Sequence, residues 1–359
     1  MSSPKKRKWG RLRGAAILLL VNVGLFAVAA YAIEAALRLS NPSRRLPPDG
    51  RVNGRLLTGG HEVRLNAHGF RGPPIVVPKP SGHFRIVVLG DSLTWGVGIA
   101  EEERYTDVLE QLLAQHCPGR AIEVLNLARK GYSTVSQRDV LAELKDEIDP
   151  DLVVVGFCLN DPQPKPQAYS PEREAFDRKH GPRLDWTAMR CRTVGLREFG
   201  KALRRAAYRI AELVGMMPTW QDALERTYEP ESSEWREFAQ ALCDIRMMCD
   251  EMGLSSPISI SLNQGVYTDR PTNYGHPDDM LRRYLDWYHQ AEAAADDAGF
   301  VVCNVEDELA REYTDRSMTV NVVDGHPNAD LNAIYARRLA DVIAQAIAPG
   351  PVSDPVRSP

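Results

Sequence analysis

The sequence lacks the marks of several common protein classes. Its formal net charge is −4, whereas a chain that binds nucleic acid would present a strongly basic face or stripe. Its six cysteines include no Cys-x-x-Cys pair, so a zinc site has no support from spacing. No internal repeat is visible. We therefore predict no nucleic-acid partner, no metal and no cofactor.

The cysteines that are present give no disulfide pattern. An even number in an exported chain permits disulfides without requiring them. Cys158 and Cys303 lie in apolar, strand-like runs, which is typical of a small core residue.

The first forty residues differ in kind from the rest. A basic cluster precedes an uncharged apolar run over 15–33, in which Asn22 is the one strong polar residue. About 20 apolar residues match the thickness of a bilayer core, and basic residues before such a run predict a cytoplasmic N-terminus. We predict that residues 1–40 form a basic cytoplasmic segment and a transmembrane signal anchor. The catalytic domain is then extracytoplasmic, and periplasmic in a Gram-negative cell.

Two alternatives exist for this N-terminal segment. Small residues such as Ala30 and Ala32 could precede the cleavage site of a signal peptide. The basic run Pro4–Lys8 could be a nuclear localisation signal. The length of the apolar run and its continuation into Ala35 and Ala36 favour an uncleaved anchor.

The middle of the chain alternates between two patterns. After an extended lead-in over 41–83, which is rich in Pro, Gly and Arg and predicts no regular element, short apolar runs alternate with helical patterns over 84–348. This alternation predicts an α/β fold, a three-layer α/β/α sandwich around a five-stranded parallel sheet. The predicted strands are Arg85–Leu89, Ile122–Leu127, Asp151–Phe157, Pro257–Leu262 and Phe300–Val305. The tail, 349–359, predicts disorder.

One long interval, 162–232, breaks the alternation and reads as an insertion. Within it an apolar stripe from Leu196 to Leu213 shares a predicted helix with five basic residues. Such a helix either covers the domain with its apolar face or lies on a membrane surface or an anionic polymer. In both cases its position makes it a candidate lid or substrate wall.

A serine follows the first predicted strand. The run Gly90–Gly96 places the Ser92 hydroxyl at the carboxyl end of a buried strand, where ligands of such sheets bind. By itself the motif is also typical of a turn in which Asp91 and Ser92 cap the next helix.

A histidine near the C-terminus supplies the base that a serine nucleophile needs. His326 follows Asp324 by two residues in an expected turn before the last helix. An imidazole deprotonates a serine best when a carboxylate fixes its tautomer and stabilises its charged form. We therefore predict Ser92, His326 and Asp324 as a catalytic set.

Two further residues are candidates for an oxyanion hole, together with the Ser92 backbone. Gly131 follows the second strand, where its backbone N–H is accessible, and Asn160 follows the third with a carboxamide that donates hydrogen bonds. Their alternative roles are a left-handed turn for Gly131 and a capping turn for Asn160.

These residues resemble the SGNH/GDSL hydrolase family, whose name lists its Ser, Gly, Asn and His. The matching positions are Ser92, Gly131, Asn160 and His326, and the likeness spans about 84 to 348. The lead-in segment Asn66–Gly72 is similar to one that precedes this domain in a membrane-anchored bacterial subgroup. The resemblance implies a flavodoxin-like fold and ester hydrolysis through an acyl-enzyme. It does not fix the substrate, because members act on lipids, thioesters and acetylated sugars.

Two positions depart from the family pattern. Cys158 stands where the third block usually has glycine, and the last block reads Asp-x-His instead of Asp-x-x-His. If Asp324 does not reach the ring, catalysis would rest on a Ser–His dyad.

The sequence supports three functional hypotheses. We expect an esterase that acts outside the membrane on O-acyl groups, chiefly O-acetyl groups, of a small molecule or an envelope or secreted glycan. The same acyl-enzyme could instead pass its acyl group to a sugar hydroxyl, as an acyltransferase. A non-catalytic envelope binding protein is the third, and the intact candidate residues argue against it.

Overall fold

A computed structural model describes residues 50–52, 55–163, 206–216, 218–264, 278–312, 318–321 and 324–347, with scattered positions in 22–32 and position 179. The chain divides into two compact units, Met1–Leu46 with Ser170–Thr219 and Pro47–Tyr169 with Trp220–Pro359. All five predicted site residues belong to the second unit.

The second unit is built on a five-stranded parallel sheet. In chain order the described strands are β1 (Gly50–Val52), β2 (Arg55–Thr58), β3 (His61–Glu62), β4 (His83–Gly90), β5 (Ala121–Asn126), β6 (Leu152–Phe157), β7 (Ile258–Ser261), β8 (Val301–Cys303), β9 (Thr319–Asn321) and β10 (Asp324–Pro327). Strands β4 to β8 form the main sheet in the order β5-β4-β6-β7-β8, and each neighbouring pair is parallel. Numbered from its first strand this order is 2-1-3-4-5, the flavodoxin-like arrangement.

Helices cover both faces of this sheet. They are α1 (Ser92–Trp95), α2 (Tyr105–His116), α3 (Thr134–Ile148), α4 (Trp220–Thr227), α5 (Ser233–Glu251), α6 (Asp278–Asp297), α7 (Glu306–Glu312) and α8 (Ala329–Ile347). Ile86 and Val88 of β4 pack with α2, α7 and α8, whereas Val87 and Leu89 pack with α3, α5 and α6. Successive strand residues point to opposite faces, so two cores form and the predicted three-layer α/β/α fold is confirmed.

Two glycines set how closely the short helix α1 approaches the sheet. Gly90 and Gly156 lie side by side at the carboxyl ends of β4 and β6. A Cβ on Gly90 would lie 2.1 Å from the Thr94 hydroxyl oxygen, and one on Gly156 would lie 2.4 Å from it and 2.6 Å from the Tyr105 hydroxyl. Thr94 is fully buried and lies 3.0 Å from the Tyr105 hydroxyl. Only a pair of residues without side chains leaves room for this contact.

The lead-in differs from the prediction of an irregular segment. Strands β1, β2 and β3 form an antiparallel sheet, and Val63 after it packs with Trp95 and Val97, which follow the nucleophile candidate. The strands are two to four residues long, which is too short for a recognisable alternating pattern.

Arg71 ties the lead-in to helix α1. Its side chain is 1% exposed and donates to the carbonyl oxygens of Gly96 at 2.6 Å, Ile99 at 2.9 Å and Trp95 at 3.3 Å. Burial and the nearby Arg104 lower the pKa of Arg71 to about 10, so it stays cationic at neutral pH. A cation that bonds the last carbonyls of a helix satisfies groups that have no partner within the helix.

Several predicted segments fall largely outside the described residues. The predicted anchor over 15–33 is described at seven scattered positions, which are helical, and the tail 349–359 at none. Within the part of the chain that is described, no helix combines the length and apolarity that a bilayer crossing requires. The insertion is described from 206 onward apart from 217, where 206–213 is helical; α4 lies near its end.

The described cysteines are free. These are Cys117, Cys158, Cys243, Cys249 and Cys303. Cys158 and Cys303 are 2% and 0% exposed, which confirms their assignment to the core.

We expect Arg71→Met to lower the free energy of unfolding by about 3 kcal/mol, because each buried carbonyl left without a donor costs roughly 1–3 kcal/mol. Arg64→Met is the matched control, since Arg64 is exposed on the same segment and such substitutions stay within about 0.5 kcal/mol. Urea unfolding of both variants measures the difference. Equal free energies of unfolding for the two variants would contradict a stabilising role of the Arg71 hydrogen bonds.

Candidate active site

The nucleophile candidate lies at a sharp turn from strand to helix. Strand β4 ends at Gly90, and α1 begins at Ser92. The Asp91 carboxylate caps α1 by accepting from the Leu93 N–H at 2.8 Å, and Gly96 ends the helix in a left-handed conformation, with φ 79°. The motif therefore combines the helix cap with an accessible nucleophile candidate, the two roles that its sequence allowed. Asp91 is the cap, and the partly exposed Ser92 hydroxyl remains accessible.

His326 and Asp324 reach this hydroxyl from the far end of the chain. His326 Nε2 lies 3.0 Å from Ser92 Oγ, and its Nδ1 lies 2.5 Å from Asp324 Oδ1. The carboxylate only accepts hydrogen bonds, so it fixes the proton on Nδ1 and leaves Nε2 free to accept the serine proton. The structure thus brings together the three residues that the sequence proposed.

The shortened Asp-x-His spacing has a structural explanation. The segment expected as a turn is strand β10, which pairs antiparallel with β9. In a strand, residues two apart point to the same side, so Asp324 can reach the ring of His326. The same carboxylate oxygen accepts from the His326 backbone N–H at 3.1 Å.

The neighbours of β10 hold it in place. Gln264 after β7 donates to the Gly325 carbonyl at 2.8 Å. Asn328 caps α8 by accepting from the Leu331 N–H at 3.1 Å. On the other side, Gly98 leaves space for Val320 of β9, since a Cβ there would lie 2.6 Å from that side chain. The histidine is therefore positioned by the main sheet, by α8 and by the loop after α1.

The charge state of Asp324 suits this arrangement. Partial burial alone would raise its pKa, but the hydrogen bond from His326 and the positive charges of His326 and Lys130 outweigh burial, so the pKa of Asp324 is lowered from its usual value. The carboxylate is ionised at neutral pH and can stabilise a protonated imidazole.

Asn160 lies beside Ser92 and shares a neighbour with it. Its Nδ2 donates to Asp91 Oδ2 at 3.4 Å, and Ser92 Oγ donates to the same oxygen at 3.0 Å. The serine proton therefore has two acceptors, Asp91 and His326. The position of Asp91 between a strand end and Ser92 predicts a helix cap, but it does not predict the contacts of Asp91 with Ser92 and Asn160.

Gly131 lies in the loop between β5 and α3 with φ 76°, a conformation that favours glycine. The preceding Lys130 places its ammonium 4.0 Å from the centre of the Trp95 ring at the end of α1. The Gly131 loop thus lies next to the nucleophile helix. Its role as an oxyanion donor stays a prediction.

A buried polar cluster lies beneath the nucleophile. Cys158 Sγ is 3.0 Å from Asn160 Oδ1 and 3.3 Å from Asp161 Oδ1. Asp161 is 1% exposed and accepts from Gln137 Nε2 at 3.2 Å. Burial, reinforced by the charge of Asp91, raises the pKa of Asp161 well above its usual value.

Two groups of side chains in the described residues have spacings that a cation could bridge. One is the buried set Asp91, Cys158 and Asp161, and the other comprises His289, Glu292 and Glu306 at the edge of β8. In the second group Asn304 already donates to both carboxylates. That no metal takes part in the reaction stays a prediction.

Residues 88–334 match the model of the GDSL-like Lipase/Acylhydrolase family. No curated protein matches the chain.

Similar solved structures share low identity with this chain. TesA is 16% identical with a TM-score of 0.41, over 72% of this chain and 97% of that one. LAE5, an alpha/beta hydrolase enzyme from the metagenome of Lake Arreo, Spain, is 14% identical with a TM-score of 0.41, over 73% of this chain and 95% of that one. The acetylxylan esterase Axe2 of Geobacillus stearothermophilus is 14% identical with a TM-score of 0.37, over 72% and 94%.

The raised pKa of Asp161 predicts how its replacement changes stability. A carboxyl whose folded pKa exceeds its unfolded value of about 3.9 binds more protons when folded, so its contribution to stability falls as the pH rises above about 4. Asp161→Asn removes this pH-dependent loss of stability. The new amide N–H can also donate to Oε1 of Gln137, which has no hydrogen-bond partner, once the Gln137 amide rotates to face it. We expect a melting temperature a few degrees above wild type at pH 8 and a smaller gain near pH 5.

Asp146→Asn is the control, because the Asp146 side chain is 87% exposed. It should leave the pH dependence of the melting temperature unchanged. A destabilisation by Asp161→Asn that grows with pH would contradict a raised pKa of Asp161.

Proposed function

The chain belongs to the GDSL-like lipase/acylhydrolase family and is a serine ester hydrolase, and from this premise we propose that it acts through an acyl-enzyme on Ser92. The observation that carries this proposal is the continuous contact from Asp324 through His326 to Ser92, with spacings of 2.5 and 3.0 Å. Both are within the reach that proton transfer requires.

In the first half-reaction His326 Nε2 takes the proton of Ser92 as Oγ attacks the ester carbonyl carbon. The negative charge that develops on the carbonyl oxygen is held by the Ser92 and Gly131 backbone N–H groups and the Asn160 side chain. The intermediate then expels the alcohol, which receives its proton from His326. The acyl group remains esterified to Ser92.

In the second half-reaction water replaces the alcohol. His326 deprotonates the water, which attacks the acyl carbonyl, and the oxyanion is held as before. Ser92 leaves with the proton returned by His326, and the free acid departs. Asp324 stays ionised throughout and stabilises the imidazolium in both halves.

We further propose that the substrate is an O-acyl group, chiefly an O-acetyl group, on an envelope or secreted glycan. The support is the predicted location, since the basic segment and apolar run of 1–40 predict a membrane anchor with the catalytic unit outside the cytoplasm. Esters exposed there include acylated glycans.

A serine-reactive fluorophosphonate tests the nucleophile in the detergent-solubilised full-length chain. We expect stable labelling at Ser92, no labelling of Ser92→Ala, and labelling slowed by about 10³-fold or more in His326→Ala, since the serine is then without its base. His116→Ala changes an exposed histidine and should label like wild type. Labelling that persists in Ser92→Ala would overturn the assignment.

The products decide between water and a sugar hydroxyl as acceptor. With an acetylated glycan and an excess of unacetylated acceptor, we expect free acetate. Acetyl groups found on the acceptor would identify an acyltransferase instead.

A further inference from the structure

Cys158 stands where the third block of the family usually has glycine. It follows β6 directly, is 2% exposed, and belongs to the same core cluster as Leu93 of α1. Its thiol also contacts a polar group, because Sγ lies 3.0 Å from Asn160 Oδ1. A glycine here would offer no side-chain donor.

The two ends of the Asn160 carboxamide face different neighbours. Oδ1 faces the Cys158 thiol, and Nδ2 faces Asp91 Oδ2, the oxygen that also accepts from Ser92. If the amide turned over, its oxygen would face a carboxylate oxygen, and its N–H would face sulfur, which is a weak acceptor. Cys158 and Asp91 therefore select the same amide orientation.

We propose that Cys158 is a positioning residue for the oxyanion hole: its thiol donates to Asn160 Oδ1 and keeps the amide nitrogen on the side of Ser92. The consequence for rate rests on the proposed acyl-enzyme mechanism, whereas the thiol–amide bond does not. An amide nitrogen carries two hydrogens, so a bond to Asp91 leaves one for the developing oxyanion.

Two features keep the thiol available as a donor. Burial, the largest cause, raises the pKa of Cys158 well above its usual value, so the thiol remains protonated. Among the competing acceptors, Asp161 Oδ1 is farther from Sγ, at 3.3 Å against 3.0 Å, and the Asp91 carboxylate also lies near the thiol. One thiol carries one proton, so it donates to one of these oxygens at a time, and Asn160 Oδ1 is nearer to it than Asp161 Oδ1.

Infrared spectroscopy tests the bond independently of catalysis. The S–H stretch of Cys158 is isolated as the difference between full-length wild type and Cys158→Ser, and a donated hydrogen bond lowers its frequency. We expect a lowered band that moves up in Asn160→Ala and stays in place in Asp161→Asn. A band that responds to Asp161→Asn alone, or an unshifted band in wild type, would overturn the proposal.

Kinetics with a chromogenic acetate ester test the consequence. We expect Cys158→Ala to lower kcat by about 10-fold with KM within about 2-fold, since an oxyanion donor acts in the transition state and its complete removal costs about 10²- to 10³-fold. Cys158→Ser, which keeps a hydroxyl donor, should recover kcat to within about 3-fold of wild type.

Wild-type kcat in Cys158→Ala, or a loss that Cys158→Ser does not recover, would overturn the positioning role. If Cys158→Ala does not fold, the serine variant and the infrared bands still decide. Absence of ester hydrolysis by wild type together with the expected infrared shifts would reject the proposed mechanism and keep the thiol–amide bond.

Discussion

The close approach of a short helix to the end of a parallel sheet is the constraint on which the site depends. Gly90 and Gly156 lie side by side, and their missing side chains let Thr94 pack between the sheet and Tyr105. This contact sets the position of α1, and with it the Ser92 hydroxyl. Ser92 follows β4 and Asn160 follows β6. Because these two strands are neighbours, their carboxyl ends place Asn160 next to Ser92.

Parts of the chain distant in sequence hold the site from other directions. Arg71 donates to carbonyls at the end of α1 and in the loop after it, so the lead-in forms part of the catalytic unit. Strand β10 presents Asp324 and His326 as a pair, with Gln264 bonded to the intervening glycine. These supports come from backbone groups and from buried or partly buried side chains, which limits rearrangement at the reacting atoms.

The sequence predicted the features that local pattern controls. The five strands, the helices between them and the positions of the candidate site residues at strand ends were predictable because apolar periodicity and strand-end positions are local signals. The β9–β10 pairing was not, since it depends on a partner segment, and Asp324–Pro327 alone resembles a turn. The lead-in sheet was missed because its strands are short. The link from Cys158 to Asn160 became visible only when side-chain positions were known, and the anchor over 15–33 stays a prediction.

The central claim is that Asp324, His326 and Ser92 work as one unit to form an acyl-enzyme. Its most direct test is rapid acid quenching of the enzyme during turnover of a chromogenic acetate ester, followed by mass spectrometry of the peptides. We expect one acetyl group on the peptide that contains Ser92, formed in a burst before steady turnover. Turnover without that acetyl-peptide, or acetylation at another residue in step with turnover, would contradict it.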